Sequence, residues 1–535
     1  MKNLLSIAAL LFISRLLVAQ SVTITPGTQG NVQLPRLSYN QIQAIPDPQA
    51  GMMAFDTTFK CLKYYTGTQW LCTSQTEGDG KLAGFAWQKK YNSTLAPDRV
   101  TDIATDNDNN VYITGYMCDY YSQLYVAKFA ADGKLIWEFK DTSINGDGGA
   151  WLVLDSNRNV YVTSAVPYNA NYQIKVMKFQ SDGSIAWQKS TLGQTGNIQA
   201  VRGIYLDNGT NVYITGEYSG TMTMTPLSTT ASVGRECFVM KLSNGGTPLW
   251  VKGVTNNGLI KVNASGESFY AGAFTGNISI EGNNLSSAGD KDILICKYTT
   301  AGTLAWFKQA GGSGTDYVSD LALSNTGEVY AIGSFSGAAS FDGNVTNAVD
   351  ATDFFAVKYT NAGFFEWVRN GGGTGDDKGI SIKIGPDNEP VILGSLGGSS
   401  GNFYPGNTIY TSAGHTHFLV KYDSLGGYLR WLKTVENAAG FKINAENDVY
   451  TWANPGEYID NPFNPGGYNH VVTKYQSNSM FLYRQVNQGA IASMAFGTGK
   501  HLFFTGGFAQ TVQIGTTKLV CTDNQGDIYV SHWVE

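Results

Sequence analysis

Charge is scarce in this chain. Only 15% of its 535 residues are Asp, Glu, Lys or Arg, against roughly a quarter in an average soluble protein. The 36 basic residues are outnumbered by 42 acidic ones, for a net charge of −6. That balance excludes the basic face a nucleic-acid binder needs. It also excludes a disordered chain, which combines high charge with few aromatics, because aromatics reach 13% here. Histidine is rarer still, at five residues, and there is no H-E-x-x-H, so a zinc enzyme has no ligand set to draw on. Neither a phosphate loop nor a dinucleotide fingerprint occurs. Six cysteines are too few for a disulfide scaffold, and Cys118, Cys237, Cys296 and Cys521 lack metal-ligand spacing. Beyond the first residues no apolar run is long enough to span a bilayer.

What is abundant is glycine, 63 residues, and tyrosine, 30. Glycine and aromatics are poor helix formers, so the composition predicts a β-rich protein. The N-terminus reads as an export signal. Lys2 supplies a positive start and Leu4–Ser14 an apolar run, with a cut after Ala19. Residues 1–19 are thus a signal peptide, and the mature protein is expected outside the cytoplasm: extracellular, at the cell surface or periplasmic. Cys61 and Cys72 flank a hairpin sequence. A two-residue turn on Thr66-Gly67 would place them opposite each other. The pair would then be hydrogen-bonded, a less favourable site for bridging, so a disulfide and two thiols both remain open.

Repeats fill the rest. VAKFAADGKLIW, VMKFQSDGSIAW, VMKLSNGGTPLW, ICKYTTAGTLAW, AVKYTNAGFFEW, LVKYDSLGGYLRW and VTKYQSNSMFLY recur along the chain. They generate a column of Trp87, Trp137, Trp187, Trp250, Trp306, Trp367 and Trp431, ending in Tyr483, with steps of 50 to 64 residues. A parallel column holds Lys128, Lys178, Lys241, Lys297, Lys358, Lys421 and Lys474, with His532 in eighth place. Before each lysine comes a run such as NVYITG, NVYVTS, EVYAIG or HLFFTG, which is strand chemistry. Each unit reads as four strands, A to D, and a four-stranded unit repeated radially is a propeller blade. The expected fold is all-β: an eight-bladed β-propeller over 81–535, with a seven-bladed ring as the alternative. The array opens with a lone D-type strand at Trp87 and ends on a C-type strand, so the N-terminal strand is predicted to complete the last blade. Such closure removes an open sheet edge.

The recurring Lys-aromatic, Gly and Trp pattern, with GGSGTDY at 311–317 and NVYITG, resembles the secreted SBBP β-propeller repeat family over roughly residues 84–535. The resemblance implies an extracytoplasmic propeller and no established catalytic residues; the count of eight departs from that family's seven. Residues 20–80 stand outside the array as a small module and linker. They resemble a short module near the start of many bacterial surface proteins, and read as a spacer or attachment segment.

Candidate binding residues follow from the strand order. The long B–C loops share one face with the D–A loops, and loops on a rigid scaffold are where binding resides. Near the D–A loops runs an acidic column, Asp98, Asp147, Asp316, Asp377 and Glu436. It is either a ring at the channel mouth that holds a cation, a cationic ligand or a sugar, or a set of turn-forming carboxylates bonded to their own loops. Asp106-Asn107-Asp108-Asn109-Asn110 has the alternating oxygens of a calcium loop but lacks its Gly and distal Glu; the hairpin itself explains it. No cofactor is predicted, calcium being the one to test. His417 and His470 occupy a pre-strand polar position. The Trp column is expected to staple neighbouring blades, and the Lys column to form a solvated ladder.

The favoured reading is a non-catalytic binding scaffold for a protein or glycan partner. Two others stay open. One is a propeller enzyme, polysaccharide-active or quinone-dependent, since the Gly-x-x-x-Trp pattern resembles the tryptophan-docking motif of quinoprotein dehydrogenases; no adjacent cysteine pair accompanies it. The other is a structural subunit of an envelope or secreted assembly. The oligomeric state is not legible.

Overall fold

The computed structural model describes most residues from 84 to 534 and parts of 36–72. Segments 1–35, 73–83, 92–97, 142–149, 193–198, 404–409, 412–416, 454–469, 488–490 and 521–526, with shorter stretches elsewhere, lie outside the described residues. The signal-peptide reading falls outside them.

The chain forms an eight-bladed β-propeller of four-stranded antiparallel blades. Blade 1 is Arg99–Thr105, Val111–Cys118, Ser122–Phe129 and Leu135–Asp141, in spatial order A-B-C-D. Blades 2 to 7 repeat that order. In the eighth sheet Ser493–Phe496, His501–Phe508 and Asp527–Val534 are followed by Gly84–Tyr91 in fourth place. The N-terminal strand therefore fills the missing D position, as the strand count predicts.

Two compact units are distinguishable: a large one of Trp87–Gly499 with Phe503–Ser531, and a small one of Met1–Ala86, Lys500–Leu502 and His532–Glu535. In the large unit the core is a series of layers, each shared by two adjacent blades. Phe269, Ile293 and Ile295 of blade 4 pack with Val329, Ala331, Phe355 and Val357 of blade 5. The same kind of layer closes the ring, joining Val111, Ile113 and Phe129 of blade 1 to Ala495, Phe503 and Val530 of blade 8. B and C strands are consequently buried on both faces; Val329–Phe335 and Asp353–Tyr359 are buried throughout. This explains their unbroken β-branched and aromatic runs.

The C–D turns of blades 1 to 5 are each closed by a left-handed glycine whose N–H bonds the carbonyl three residues back. Gly133, Gly183, Gly246, Gly302 and Gly363 take φ of 81°, 90°, 81°, 77° and 83°. Most meet a second demand. A Cβ on Gly183 would lie 2.7 Å from the Trp137 ring of the preceding blade, and one on Gly363 2.8 Å from Trp306. The repeat's glycine thus serves the turn and the joint between blades together.

In the small unit, Arg36–Leu37 pairs in parallel with Met53–Asp56, which pairs antiparallel with Cys61–Tyr65, and that strand with Trp70–Cys72. The last hairpin corrects the expected register. Tyr65 faces Trp70 and Lys63 faces Cys72, so a four-residue connection replaces the two-residue turn. Cys61 instead lies opposite Asp56, two residues out of step with Cys72.

Candidate functional site

Across each blade, one row carries the repeat's signature side chains. Tyr112 of strand B faces Lys128 of strand C, which faces Trp137 of strand D. The same trio is Tyr161, Lys178 and Trp187, then Tyr213, Lys241 and Trp250, then Phe269, Lys297 and Trp306, then Tyr330, Lys358 and Trp367. Each indole reaches the next blade. Trp137 Nε1 donates to Ser181 O at 3.2 Å, Trp187 to Asn244 O at 2.8 Å and Trp250 to Thr300 O at 3.1 Å. Trp306 donates to Asn361 O at 3.0 Å and Trp431 to Ser477 O at 2.8 Å. Lys128, Lys241, Lys297 and Lys358 donate to the very carbonyl their neighbouring tryptophan uses. Most of these tryptophans are half-buried, whereas Trp367 is only 3% exposed. The side chains of Trp87 and Tyr483 lie outside the described residues.

The lysines are not the solvated ladder their sequence position suggests. Lys128, Lys241, Lys297, Lys358, Lys421 and Lys474 are buried. The ammonium groups of Lys241, Lys297, Lys358 and Lys474 are met by a ring and a carboxylate, that of Lys128 by the Tyr112 ring and the Ser181 carbonyl, and that of Lys421 by the carboxylates of Asp387 and Glu389. Lys297 pairs with Glu267 at 2.6 Å, Lys358 with Glu328 at 2.8 Å and Glu366 at 2.6 Å, and Lys474 with Asp448 at 3.0 Å. Lys241 sits 5.0 Å from the Tyr213 ring centroid and Lys358 5.4 Å from that of Tyr330. A buried charge paired and hydrogen-bonded in this way is tolerated; an unpaired one is not.

Blade 8 departs from the rule. His532 replaces the lysine, and His501 stands where Glu267, Glu328 and Glu389 stand in blades 4, 5 and 6. Their rings stack at 4.8 Å, with His501 Nδ1 2.7 Å from His532 Nε2. Burial first, and His501 second, push the His532 imidazole down to about 4. The ion pair of the other blades is thus exchanged for two stacked imidazoles.

The calcium-like turn is a hairpin. Asp106 accepts from the N–H groups of Asp108 at 3.0 Å and Asn110 at 2.9 Å, and from Tyr112 OH at 3.0 Å. Asn109 takes the left-handed φ of 61°. Asp155 and Asp207 do the same in blades 2 and 3. Nearby, a cleft of about 500 Å³ is lined by Lys128, Ser156, Asn157, Arg158, Ser181 and Asp182, with Arg158 tied to Asp108 at 2.6 Å.

On the opposite face the acidic column is divided by the structure. Asp147 and Glu436 lie outside the described residues, and Asp98 is buried. Asp316 and Asp377, 0% and 1% exposed, do not rim an opening. Asp316 accepts from Gly312 N at 2.9 Å, and Asp377 from Gly373 N at 2.6 Å and Gly397 N at 3.0 Å. These two carboxylates are turn-formers. Among the described residues no three His, Cys, Asp or Glu side chains gather as a metal site. The glycines of GGSGTDY have a packing reason as well: a Cβ on Gly312 would meet Ala338 O at 1.7 Å.

Burial raises the Asp316 carboxyl to about 6, helped by nearby Asp292 and opposed by the Gly312 N–H. Its folded-state value therefore exceeds the unfolded one, so its contribution is fully present at low pH and lost as pH rises from about 4 to 6. Asp316→Asn keeps the acceptor for Gly312 and removes the buried charge. We expect this variant to be more stable than wild type by about 1–2 kcal/mol at pH 7.5, with the gap vanishing at pH 4. Thermal unfolding at the two pH values checks it; a destabilised variant at pH 7.5 would show that the charge is needed.

The long B–C connections are largely extra hairpins, at 277–280 with 283–286, 338–341 with 344–347, and 511–514 with 517–520. Loop length alone suggests a free binding face. Instead, the blade 5 hairpin pairs with the D strand of blade 4, Gly311 opposite Ser340 and Gly312 opposite Ala339, extending that sheet to six strands. Lys308 fixes it through Asp342 at 3.0 Å, and Lys252 holds the blade 4 hairpin through Glu281 at 2.7 Å. These hairpins cover the outer edges of preceding blades. In blade 6, a G-x-S-x-G string at 397–401 falls between strands Pro390–Ser395 and Asn402–Phe403. Residues 398–401 of that string lie outside the described residues.

Around the axis, A strands link blade to blade through side chains. Thr101 Oγ1 donates to Ala150 O at 2.6 Å, Trp151 Nε1 to Val201 O at 3.3 Å and Tyr205 OH to Ile260 O at 3.3 Å. Asp102 accepts from Leu152 N and Asp320 from Ile382 N, each from the next blade. Three lysines stand two residues before the A–B turn: Lys261, Lys383 and Lys442, in blades 4, 6 and 7. Sequence patterning does not single them out, because A strands carry no shared polar motif. Burial holds Lys383 below the ordinary lysine range, with Asp320 opposing and Lys261 adding to the fall. Burial likewise lowers Lys442, against Asp102 and with Lys383.

Joints of this kind, eight blades and a D strand taken from the N-terminus define a Velcro-closed propeller. Residues 16–84 match the family model of a phage tail-like trimerisation region. An uncharacterised WD repeat-containing protein of Acanthamoeba polyphaga mimivirus is 23% identical over 218 residues, covering 37% of this chain and 15% of that protein. The match thus spans a small part of the relative's length. Similar solved structures include the Neurospora crassa Pan2 WD40 domain, with a TM-score of 0.33 and 11% identity over 69% of this chain and 91% of that one. The propeller domain of the Trilobed protease from Pyrococcus furiosus has a TM-score of 0.34 and 8% identity over 73% and 94%. Virginiamycin B lyase from Staphylococcus aureus has a TM-score of 0.33 and 11% identity over 84% and 99%. Among the described residues no helix is long and apolar enough to cross a membrane.

Proposed function

We propose that this is an exported, non-catalytic binding scaffold, in which three propellers are gathered by the N-terminal module to engage a protein or glycan partner together. The observation that carries the reading is the order of parts: a segment similar to a trimerisation region stands directly before a propeller. A propeller scaffold with a WD-repeat-like relative supports an interaction role. The apolar start of the chain and the resemblance of the repeats to the secreted SBBP family support export. Trimerisation would serve binding by mass action. Linked sites raise the effective concentration of the second and third contacts, so avidity exceeds single-site affinity by about 10²–10⁴ where geometry allows.

Light scattering on the chain beginning at Gln20 tests this. The expected mass is three times that of one chain. A monomer at micromolar concentration would remove the trimer from the proposal, leaving a single-site scaffold.

A further inference from the structure

Blades 1 to 7 carry a lysine in the signature row of strand C, and blade 8 does not. A lysine ammonium keeps its charge throughout the acid and neutral range; an imidazole does not. His532 takes the lysine's place and is 3% exposed, and His501 takes the place of the glutamate in blades 4, 5 and 6. Their rings lie 19° from parallel, with His501 Nδ1 2.7 Å from His532 Nε2. At that distance one nitrogen must donate and the other accept. The neutral pair does so. A pair with one added proton does so too, because that proton goes to the outer nitrogen of the donor ring. A second proton has only the accepting nitrogen left. Two N–H groups then face each other between two cationic rings. The hydrogen bond is lost, and like charges meet in a buried place.

The carboxylates around the pair do not offset that cost. Burial first and His501 second hold the His532 imidazole down to about 4, and no carboxylate counters them. In sequence, Asp527 and Glu535 flank His532's own strand, Lys500 precedes His501, and the strand Gly84–Tyr91 carries Lys89 and Lys90. In blade 1 the row faces the A–B and C–D turns of blade 2; the corresponding turns for blade 8 are those of blade 1. There Asp108 is taken by Arg158 at 2.6 Å, Asp106 by its own hairpin, and Asp132 by Lys134 N at 3.0 Å. We propose that the His501–His532 pair is an acid-sensitive latch: a second proton breaks it and loosens blade 8, and with it the hold on the strand Gly84–Tyr91 that completes the ring. The sign follows from linkage. Histidines of the unfolded chain titrate near 6.5, so they take up protons before the folded pair does. The latch is fully closed above about pH 6.5 and is lost as pH falls towards 4. Blade 8 is also where the chain following residues 16–84, the segment similar to a trimerisation region, enters the ring. The latch is independent of partner binding and of trimer formation.

Hydrogen exchange read by mass spectrometry on the chain from Gln20, at pH 7.5 and pH 5.0, tests the proposal. Exposure times are scaled for the slower intrinsic exchange in acid, and pH 5.0 stays above the range in which most carboxylates titrate. Amides of Gly84–Tyr91, His501–Phe508 and Asp527–Val534 are expected to lose protection about tenfold or more at pH 5.0, while those of blades 4 and 5 hold theirs. The double variant His501→Glu with His532→Lys restores the repeat's own ion pair, and His532→Gln keeps a neutral polar side chain. Both should keep blade 8 as protected at pH 5.0 as at pH 7.5. Two results overturn the proposal. One is a wild-type chain whose blade 8 loses no more protection in acid than blades 4 and 5. The other is the same selective loss in either variant, once near-ultraviolet circular dichroism has shown it to be folded. The wild-type comparison between blades needs no variant, so it decides even where a substitution prevents folding.

Discussion

Replacing Trp367 with alanine should destabilise the propeller by about 3–5 kcal/mol, among the largest effects of any single substitution. This indole is 3% exposed, packs edge-on to Tyr330 at 5.9 Å and tilts against Tyr422 at 6.2 Å. Tyr330 belongs to its own blade and Tyr422 to the next. Gly427 lies under the ring so closely that a Cβ there would be 2.7 Å away. Alanine would leave a cavity between two blades that neither can fill, because each sheet is fixed by its own ladder. Trp367→Phe separates packing from hydrogen bonding. It keeps an aromatic filling and loses only the 3.5 Å contact to Ser424 O, so a cost of about 1 kcal/mol is expected. Guanidinium unfolding of the three proteins reads both numbers. Equal midpoints for wild type and the alanine variant would contradict the stapling role.

Lys358→Met should cost a comparable amount, about 3–5 kcal/mol, although methionine matches the lysine stem in length. Lys358 is 1% exposed and meets Glu328, Glu366, Ser424 O and the Tyr330 ring. Removing the ammonium leaves two carboxylates facing each other with no cation between them. The loss is electrostatic, so it should shrink when the carboxylates are protonated. The variant is expected to approach wild-type stability as pH falls towards 4, and Lys358→Met with Glu328→Gln should recover part of the loss at pH 7. Unfolding midpoints at pH 4 and pH 7 for the single and double variants check this. A solvated lysine would show less than 1 kcal/mol at either pH.

The architecture was largely legible because it repeats. The Lys and Trp columns, read as one row across strands C and D, correspond to the register that places Lys297 opposite Trp306. The unpaired first strand and missing last one similarly foretold which strand completes blade 8. Side-chain environments were harder to read, since they depend on the neighbouring blade. Lys358 looks like a surface residue in its own hairpin; the blade beyond covers it. Asp316 looks like a rim residue until its own loop folds over it. The long B–C segments read as free loops because nothing in their composition shows that the 338–347 hairpin pairs backwards onto blade 4. Lys261, Lys383 and Lys442 escaped notice for the opposite reason: they break a column instead of forming one.

The partner of each stapling tryptophan is a main-chain oxygen, supplied in turn by Ser181, Asn244, Thr300, Asn361, Ser424 and Ser477. A peptide carbonyl survives any substitution that preserves the turn. In the six described contacts the acceptor is thereby insensitive to the side chain at its own position, so the acceptor residue can vary while the indole cannot. The wandering identity at one position and the constancy at the other are two sides of a single contact. A ring assembled from such seams can diversify its turn surfaces repeat by repeat without putting its closure at risk.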